Sequence, residues 1–218
     1  MREAFDAELA RYRDQLADLA KGTKDAMTRA TTALLDNSLA DAAGVLGDDD
    51  QLVDLHHQID QQALVLLARQ QPVASDLRTI MAGLRMSADL KRMATLARHI
   101  AELVMRRHPR PVVPSAVRQT VVAMGAVAAR LAGAAQEAVT TENADAATAL
   151  EHADDVMDDL LTSLYRTLLA DHRWDVETAM NLTLLGRYYE RFADHAVSVA
   201  KRVAFAAGTR RPEAASSS

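Results

Sequence analysis

At 218 residues the chain has room for one or two domains of roughly 150 residues each, and its 49% hydrophobic and 25% charged content excludes wholesale disorder. It has no cysteine, which excludes disulfides, thiolate metal sites and cysteine nucleophiles. A formal net charge of −5 argues against a general nucleic-acid binder, and eight glycines, five prolines and 4% aromatics are too few for a turn-rich all-β fold.

The prediction is therefore all-α. Phe5, Leu9, Tyr12, Leu16, Leu19, Ala26 and Ala30 step in threes and fours, the seam of a first helix from Arg2 to Asp36 with Asn37-Ser38 as its break. Leu52, Leu55, Ile59 and Leu66 mark a second helix from Leu39 to Gln70, ended by Pro72. Ser75 or Asp76 is the expected cap of a third, carrying Ile80, Leu84, Met86, Met93, Ile100 and Val104. Three of the five prolines fall in His108-Pro109-Arg110-Pro111-Val112-Val113-Pro114, which reads as a linker. Three further helices follow, over 115–140, 144–170 and 176–206, before a polar tail expected to be disordered. The predicted organisation is a bundle over 1–108, a linker at 109–114, a second bundle over 115–207 and a tail over 208–218. No apolar run reaches the roughly 18 residues of a membrane helix, and Met1 to Asp14 lacks an apolar signal core. A soluble, cytoplasmic chain is expected.

The halves repeat. A shift of 105 residues carries Leu52, Leu55 and Ile59 onto Met157, Leu160 and Leu164. A shift of 99 carries Leu90-Lys91-Arg92-Met93-Ala94-Thr95 onto Tyr189-Glu190-Arg191-Phe192-Ala193-Asp194. Two tandem three-helix bundles follow, whether as one continuous body or two separate units.

Glu190 and Asp194 lie four apart in the sixth helix and share a face, opposite a core stripe of Leu185, Tyr188, Phe192, Ala196, Val199 and Val203. Asp154 and Asp158 repeat the spacing on the fifth, with Glu151 and Asp155 close by. Packed side by side, four carboxylates converge on one patch and raise one another's pKa unless a cation sits between them. Oxygen ligands suit iron, manganese or magnesium, with zinc less favoured. The competing reading is a solvated acidic face that carries nothing.

In the first half Lys91 and Thr95 stand where Glu190 and Asp194 stand in the second. Asp49 and Val53, or with a shift of 104 Asp50 and Asp54, oppose them. Lys91 is expected to pair with the Asp48–Asp50 cluster in place of a metal, leaving a degenerate first site (Asp49, Asp50, Lys91) and metal only in the second bundle.

Other candidates are weaker. Adjacent His56 and His57 point to different helix faces and read as surface residues, and His195 reads as a packed histidine. Arg106, Arg107, His108 and Arg110 oppose a helix dipole. Trp174 is expected to anchor the last interhelix turn. No glycine-rich phosphate loop or nucleophile elbow appears.

The segments Leu66-Leu67-Ala68-Arg69-Gln70-Gln71-Pro72-Val73-Ala74-Ser75-Asp76-Leu77-Arg78 and Tyr189-Glu190-Arg191-Phe192-Ala193-Asp194-His195-Ala196, within two three-helix repeats, resemble the PhoU family, and Ala/Arg/Asp-rich usage resembles its actinobacterial, mycobacterial members. The resemblance runs to about Ala206. It implies a cytoplasmic, non-enzymatic adaptor, often dimeric, that restrains phosphate uptake and the phosphate-starvation response when phosphate is abundant. Its implied partners are a phosphate-sensing histidine kinase and the ATP-binding subunit of the phosphate ABC transporter. It also implies iron or zinc clusters on paired E/D-x-x-x-D motifs, a role that falls here on Asp154, Asp158, Glu190 and Asp194; Val53, Lys91 and Thr95 depart from that pattern. Three alternatives compete with this reading. A di-iron carboxylate enzyme would need inward Glu-x-x-His pairs, and Asp54-x-x-His57 is the nearest approach. A metal-free scaffold needs no site, and helical DNA binding is opposed by the net charge.

Overall fold

The computed structural model describes residues 2–69, 74–143, 146–170 and 174–208. Six helices make up the fold: α1 (Arg2–Asp36), α2 (Leu39–Arg69), α3 (Ala74–Arg107), α4 (Ser115–Thr141), α5 (Ala146–Ala170) and α6 (Val176–Ala206). Among the described residues the structure is all-α, as the spacing predicts. The third helix starts one residue before Ser75, so Ser75 and Asp76 sit in its first turn rather than capping it. Pro72, the start of the fifth helix at Ala144 and the tail beyond Gly208 lie outside the described residues.

The repeat shows in the helix ends as well as the cores. α1 ends at Asn37 and α4 at Glu142, both left-handed with φ of 52°, and 105 residues separate them. In each case the next amide reaches back five residues, Ser38 to the Ala33 carbonyl at 3.0 Å and Asn143 to the Ala138 carbonyl at 3.2 Å. That reversal satisfies a helix-end carbonyl and turns the chain back on itself. On α6 the cap is a side chain: Asp175 accepts from the Thr178 amide at 2.9 Å.

α1, α2 and α3 pack on one another, as do α4, α5 and α6. The bundles also pack together, α1 on α4 and α3 on α6, and one apolar core runs through both. Close approach inside the first bundle depends on Gly83, where a Cβ would stand 2.4–2.7 Å from the Tyr12 ring and hydroxyl. Tyr12 uses that space to donate to the Ile80 carbonyl at 3.0 Å.

The double packing changes which residues of α6 are buried. Leu185, Phe192, Ala196, Val199 and Val203 are in the core as expected, but Tyr189 is the fully buried tyrosine, not Tyr188. A helix covered on two sides buries a wider stripe than one seam predicts. Tyr189 turns toward the other half and shares a 2.9 Å hydrogen bond with Thr31 of α1. Tyr188 is half-buried beside His99 of α3, with ring centroids 5.3 Å apart.

Candidate functional site

Asp154 and Asp158 of α5 and Glu190 and Asp194 of α6 share one face, because α5 packs against α6 with both i,i+4 pairs turned outward. Asp154 is the focus. Partial burial lifts its pKa first, and the charges of Asp194, Asp158, Asp155 and Glu190 push it further, to about 6 from 3.8. Glu190 is raised too, chiefly by burial, against the pull of Arg187. Its Oε1 accepts from Arg187 Nη1 at 2.6 Å, while Oε2 is buried with no hydrogen-bond partner.

An unpartnered buried carboxylate oxygen beside a carboxyl group raised by its neighbours is the charge environment a cation relieves. The donors are all carboxylate oxygens, so the face favours hard cations over thiophilic ones. Asp158 and Asp194 are exposed. As the side chains stand, no group of three or more His, Asp or Glu among the described residues is gathered tightly enough to hold a metal ion.

The first-half face is built differently, and not as predicted. Asp48 pairs with Arg29 of α1, and Asp49 pairs with Arg98 of α3 at 3.4 Å. Asp50 faces solvent. Lys91 lies instead beside His56, where burial lowers the imidazole pKa, Asp60 opposes that, and His57 and Lys91 add to it. Asp48 and Asp49 are neutralised by arginines from two helices, and Arg98 lies two turns along α3 from Lys91.

His56 is not the surface residue that its spacing suggested. Its Nδ1 shares a 2.7 Å hydrogen bond with Ser87 on α3, while His57 and Asp54 are exposed. Arg107 does not turn back on its own helix end. It pairs with Glu177 at 2.7 Å and donates to Thr178 at 3.3 Å, tying α3 to the start of α6. Trp174 packs against the core beside that turn, as expected.

A heavily bonded carboxylate among the described residues was not singled out from the sequence. Asp89 of α3 is buried against α6, where Ser198 donates to Oδ2 at 2.9 Å and Arg202 at 2.7 Å, and His195 meets Oδ1 at 3.2 Å. Arg92 adds a 3.4 Å contact from its own helix. Burial pushes the Asp89 carboxyl up, but hydrogen bonds from His195, Arg202 and Ser198, with the Arg202 charge, outweigh it and hold it at about 2. A lone aspartate in the otherwise uncharged run Met86-Ser87-Ala88-Asp89-Leu90, facing polar residues at i, i+3 and i+7 on α6, was the available signal.

Compared with known proteins, the chain matches the PhoU domain model twice, over 16–104 and 121–203. It is 42% identical over 209 residues to the phosphate-specific transport system accessory protein PhoU homolog 2 of Mycobacterium tuberculosis, covering 95% of this chain and 98% of that one. It is 40% identical over 215 residues to PhoU homolog 1 of Mycobacterium leprae, covering 98% and 96%. The crystal structure of PhoU from Pseudomonas aeruginosa superposes with a TM-score of 0.83 at 27% identity, covering 94% of this chain and all of that one. The phosphate transport system regulatory protein PhoU from Streptococcus pneumoniae gives 0.82 at 20% identity, covering 93% and 96%, a likeness of fold alone. The mycobacterial relatives bear out the expected actinobacterial likeness.

Proposed function

This chain belongs to the PhoU family, and on that premise we propose that it regulates phosphate uptake and the phosphate-starvation response, repressing both when phosphate is abundant. Its mycobacterial relatives are named phosphate-specific transport system accessory proteins, and the chain is of that regulatory kind rather than an enzyme. Identity of 42% along 98% of a phosphate-transport accessory protein is the observation that carries the reading. The chain acts in the cytoplasm as a homodimeric adaptor between the ATP-binding subunit of a phosphate ABC transporter and a phosphate-sensing histidine kinase. Its contact with the membrane is through those complexes; no helix among the described residues is long and apolar enough to cross one. It has no nucleic-acid partner.

In this reading Asp154, Asp158, Glu190 and Asp194 hold iron or zinc, with manganese or magnesium as alternatives, and the first bundle holds none. Bound there, the cation supplies positive charge to an acidic face. The raised Asp154 and the unpartnered Glu190 oxygen support this; the Arg187–Glu190 pair favours a second reading, in which arginine alone neutralises the face. Elemental analysis of the purified protein and of Asp154→Ala and Glu190→Ala variants separates the two.

The regulatory reading is tested by deleting the gene and following phosphate-responsive transcription at high phosphate. Derepression, reversed by the wild-type gene, is the expected result. Unchanged repression in the deletion strain overturns it.

A further inference from the structure

Where the end of α3 meets the start of α6 there is an open cleft of about 220 Å³, lined by Arg106, Arg107, His108, Pro109, Arg110 and Glu177. Basic residues at a helix C-terminus ordinarily serve its last carbonyls. Here the backbone takes them: the His108 amide donates to Val104 at 3.0 Å and the Arg110 amide to Arg107 at 2.9 Å. The Pro109 carbonyl accepts from Asn37 at 2.9 Å. The guanidinium groups of Arg106 and Arg110 are exposed and form no ion pair or hydrogen bond among the described residues.

Arg107 is the buried member of the three. Its side chain is 10% exposed; Nη1 pairs with Glu177 at 2.7 Å and Nη2 donates to Thr178 at 3.3 Å. Its Nε is buried and has no acceptor. A buried guanidinium N–H left without an oxygen is an unmet demand for one.

The charges on the wall do not cancel. Three guanidinium groups against the single carboxylate of Glu177 leave two positive charges. Asp175 lies outside the lining and is taken up by the amide and hydroxyl of Thr178. The carbonyl end of α3 and the amide end of α6 meet here, so their dipoles offset each other. A doubly charged oxyanion matches that balance, and arginine forks match phosphate oxygens two at a time. A lone carboxylate would supply half the charge.

We propose that this cleft binds the phosphate group of a small molecule, held by Arg106 and Arg110 from the rim, His108 as a further donor and Arg107 as the buried guanidinium. It lies about 20 Å along α6 from Glu190 at 1.5 Å per residue, and depends neither on metal nor on the regulatory reading. The test is calorimetric titration of the full chain, with chelator present so that no metal bridges phosphate to the α5–α6 face. Inorganic phosphate and a phosphomonoester, AMP, are titrated separately at fixed ionic strength, with acetate as a singly charged control. At least one of the two phosphates should saturate at one per chain, and acetate should not. Tighter binding of AMP assigns the cleft to an ester; equal or tighter binding of inorganic phosphate assigns it to the free ion. Arg106→Ala with Arg110→Ala should weaken that binding at least tenfold. Thermal unfolding without ligand should stay unchanged, because neither side chain has a partner to lose. Arg106→Lys with Arg110→Lys, which keeps the charge but not the fork, should fall between. Saturation by neither phosphate, equal binding of acetate, or undiminished affinity in the double alanine variant would each overturn the proposal.

Discussion

Asp89 and Asp154 are both carboxylates drawn out of water between packed helices, yet they are held at opposite ends of the carboxylate range. Asp89, in the seam between α3 and α6, sits at about 2; Asp154, on the α5–α6 face, sits at about 6. Burial pushes both upward, so the difference lies in their company. Asp89 meets an arginine, a histidine and a serine, and Asp154 meets four other carboxylates. A buried charge with opposite partners is held ionised; one surrounded by its own sign is pushed toward its neutral form.

The strongest way to break this comparison is at the seam. Asp89→Ala strands Arg202 and His195 against a core and should cost about 3–5 kcal/mol, the usual penalty for removing one partner of a buried ion cluster. Urea unfolding of the variant against wild type measures it. The sign with pH follows from the depressed pKa: the contribution is complete above 3.8 and is lost as pH falls toward about 2. A loss below 1 kcal/mol would mean that the network is ornamental.

How much of this was legible beforehand depends on whether one helix or two decided the matter. The six helices, the break at Asn37 and the repeat follow from spacing within single segments. So does the pairing of Asp154 and Asp158 with Glu190 and Asp194, because neighbouring helices of one bundle had only to lie side by side. The packing of one bundle on the other was not legible, since its signal is spread over residues about a hundred positions apart. Tyr189, Asp89 and Arg107 were misread or passed over for that one reason. Lys91 was misplaced because a shift of 99 or 105 fixes a position in the repeat but not the side chain's direction, and Arg98 lay closer to Asp49.

On the α5–α6 face the comparison is sharpened by adding a cation. Zinc or ferrous ion at a hundred times its Kd should stabilise the protein by about 2.7 kcal/mol, read as a rise in Tm. Asp154→Asn with Glu190→Gln should abolish that rise, and Asp49→Asn should leave it intact. Because Asp154 must lose its proton to bind, affinity should weaken as pH falls through about 6.

Without metal the same face predicts an effect of the opposite kind. A carboxyl raised from 3.8 to about 6 favours folding below 3.8, and that advantage is lost as pH rises through about 6. Asp154→Asn should therefore stabilise the metal-free protein at pH 7, by about 1 kcal/mol once solvent screening is allowed for. The gain should vanish below pH 4. Thermal unfolding across that range, with chelator present, checks both sign and window.

The smallest effect tests the seam against its own repeat. A shift of 99 carries Asp89 onto Tyr188 and His99 onto Ser198, so the Asp89–Ser198 contact and the His99–Tyr188 ring contact are the same place in the two halves. The same shift carries Leu96 onto His195 and Leu103 onto Arg202, both leucines buried. One side of the seam is thus closed by charge, its counterpart by an aromatic pair over apolar packing. An aromatic contact of this kind contributes about 0.5–1.5 kcal/mol beyond its buried area, and a half-exposed pair belongs at the low end. His99→Ala should cost about 0.5 kcal/mol in urea unfolding, several-fold less than Asp89→Ala. Equal costs would mean that the seam is held by shape on both sides and that the buried charge adds nothing to it.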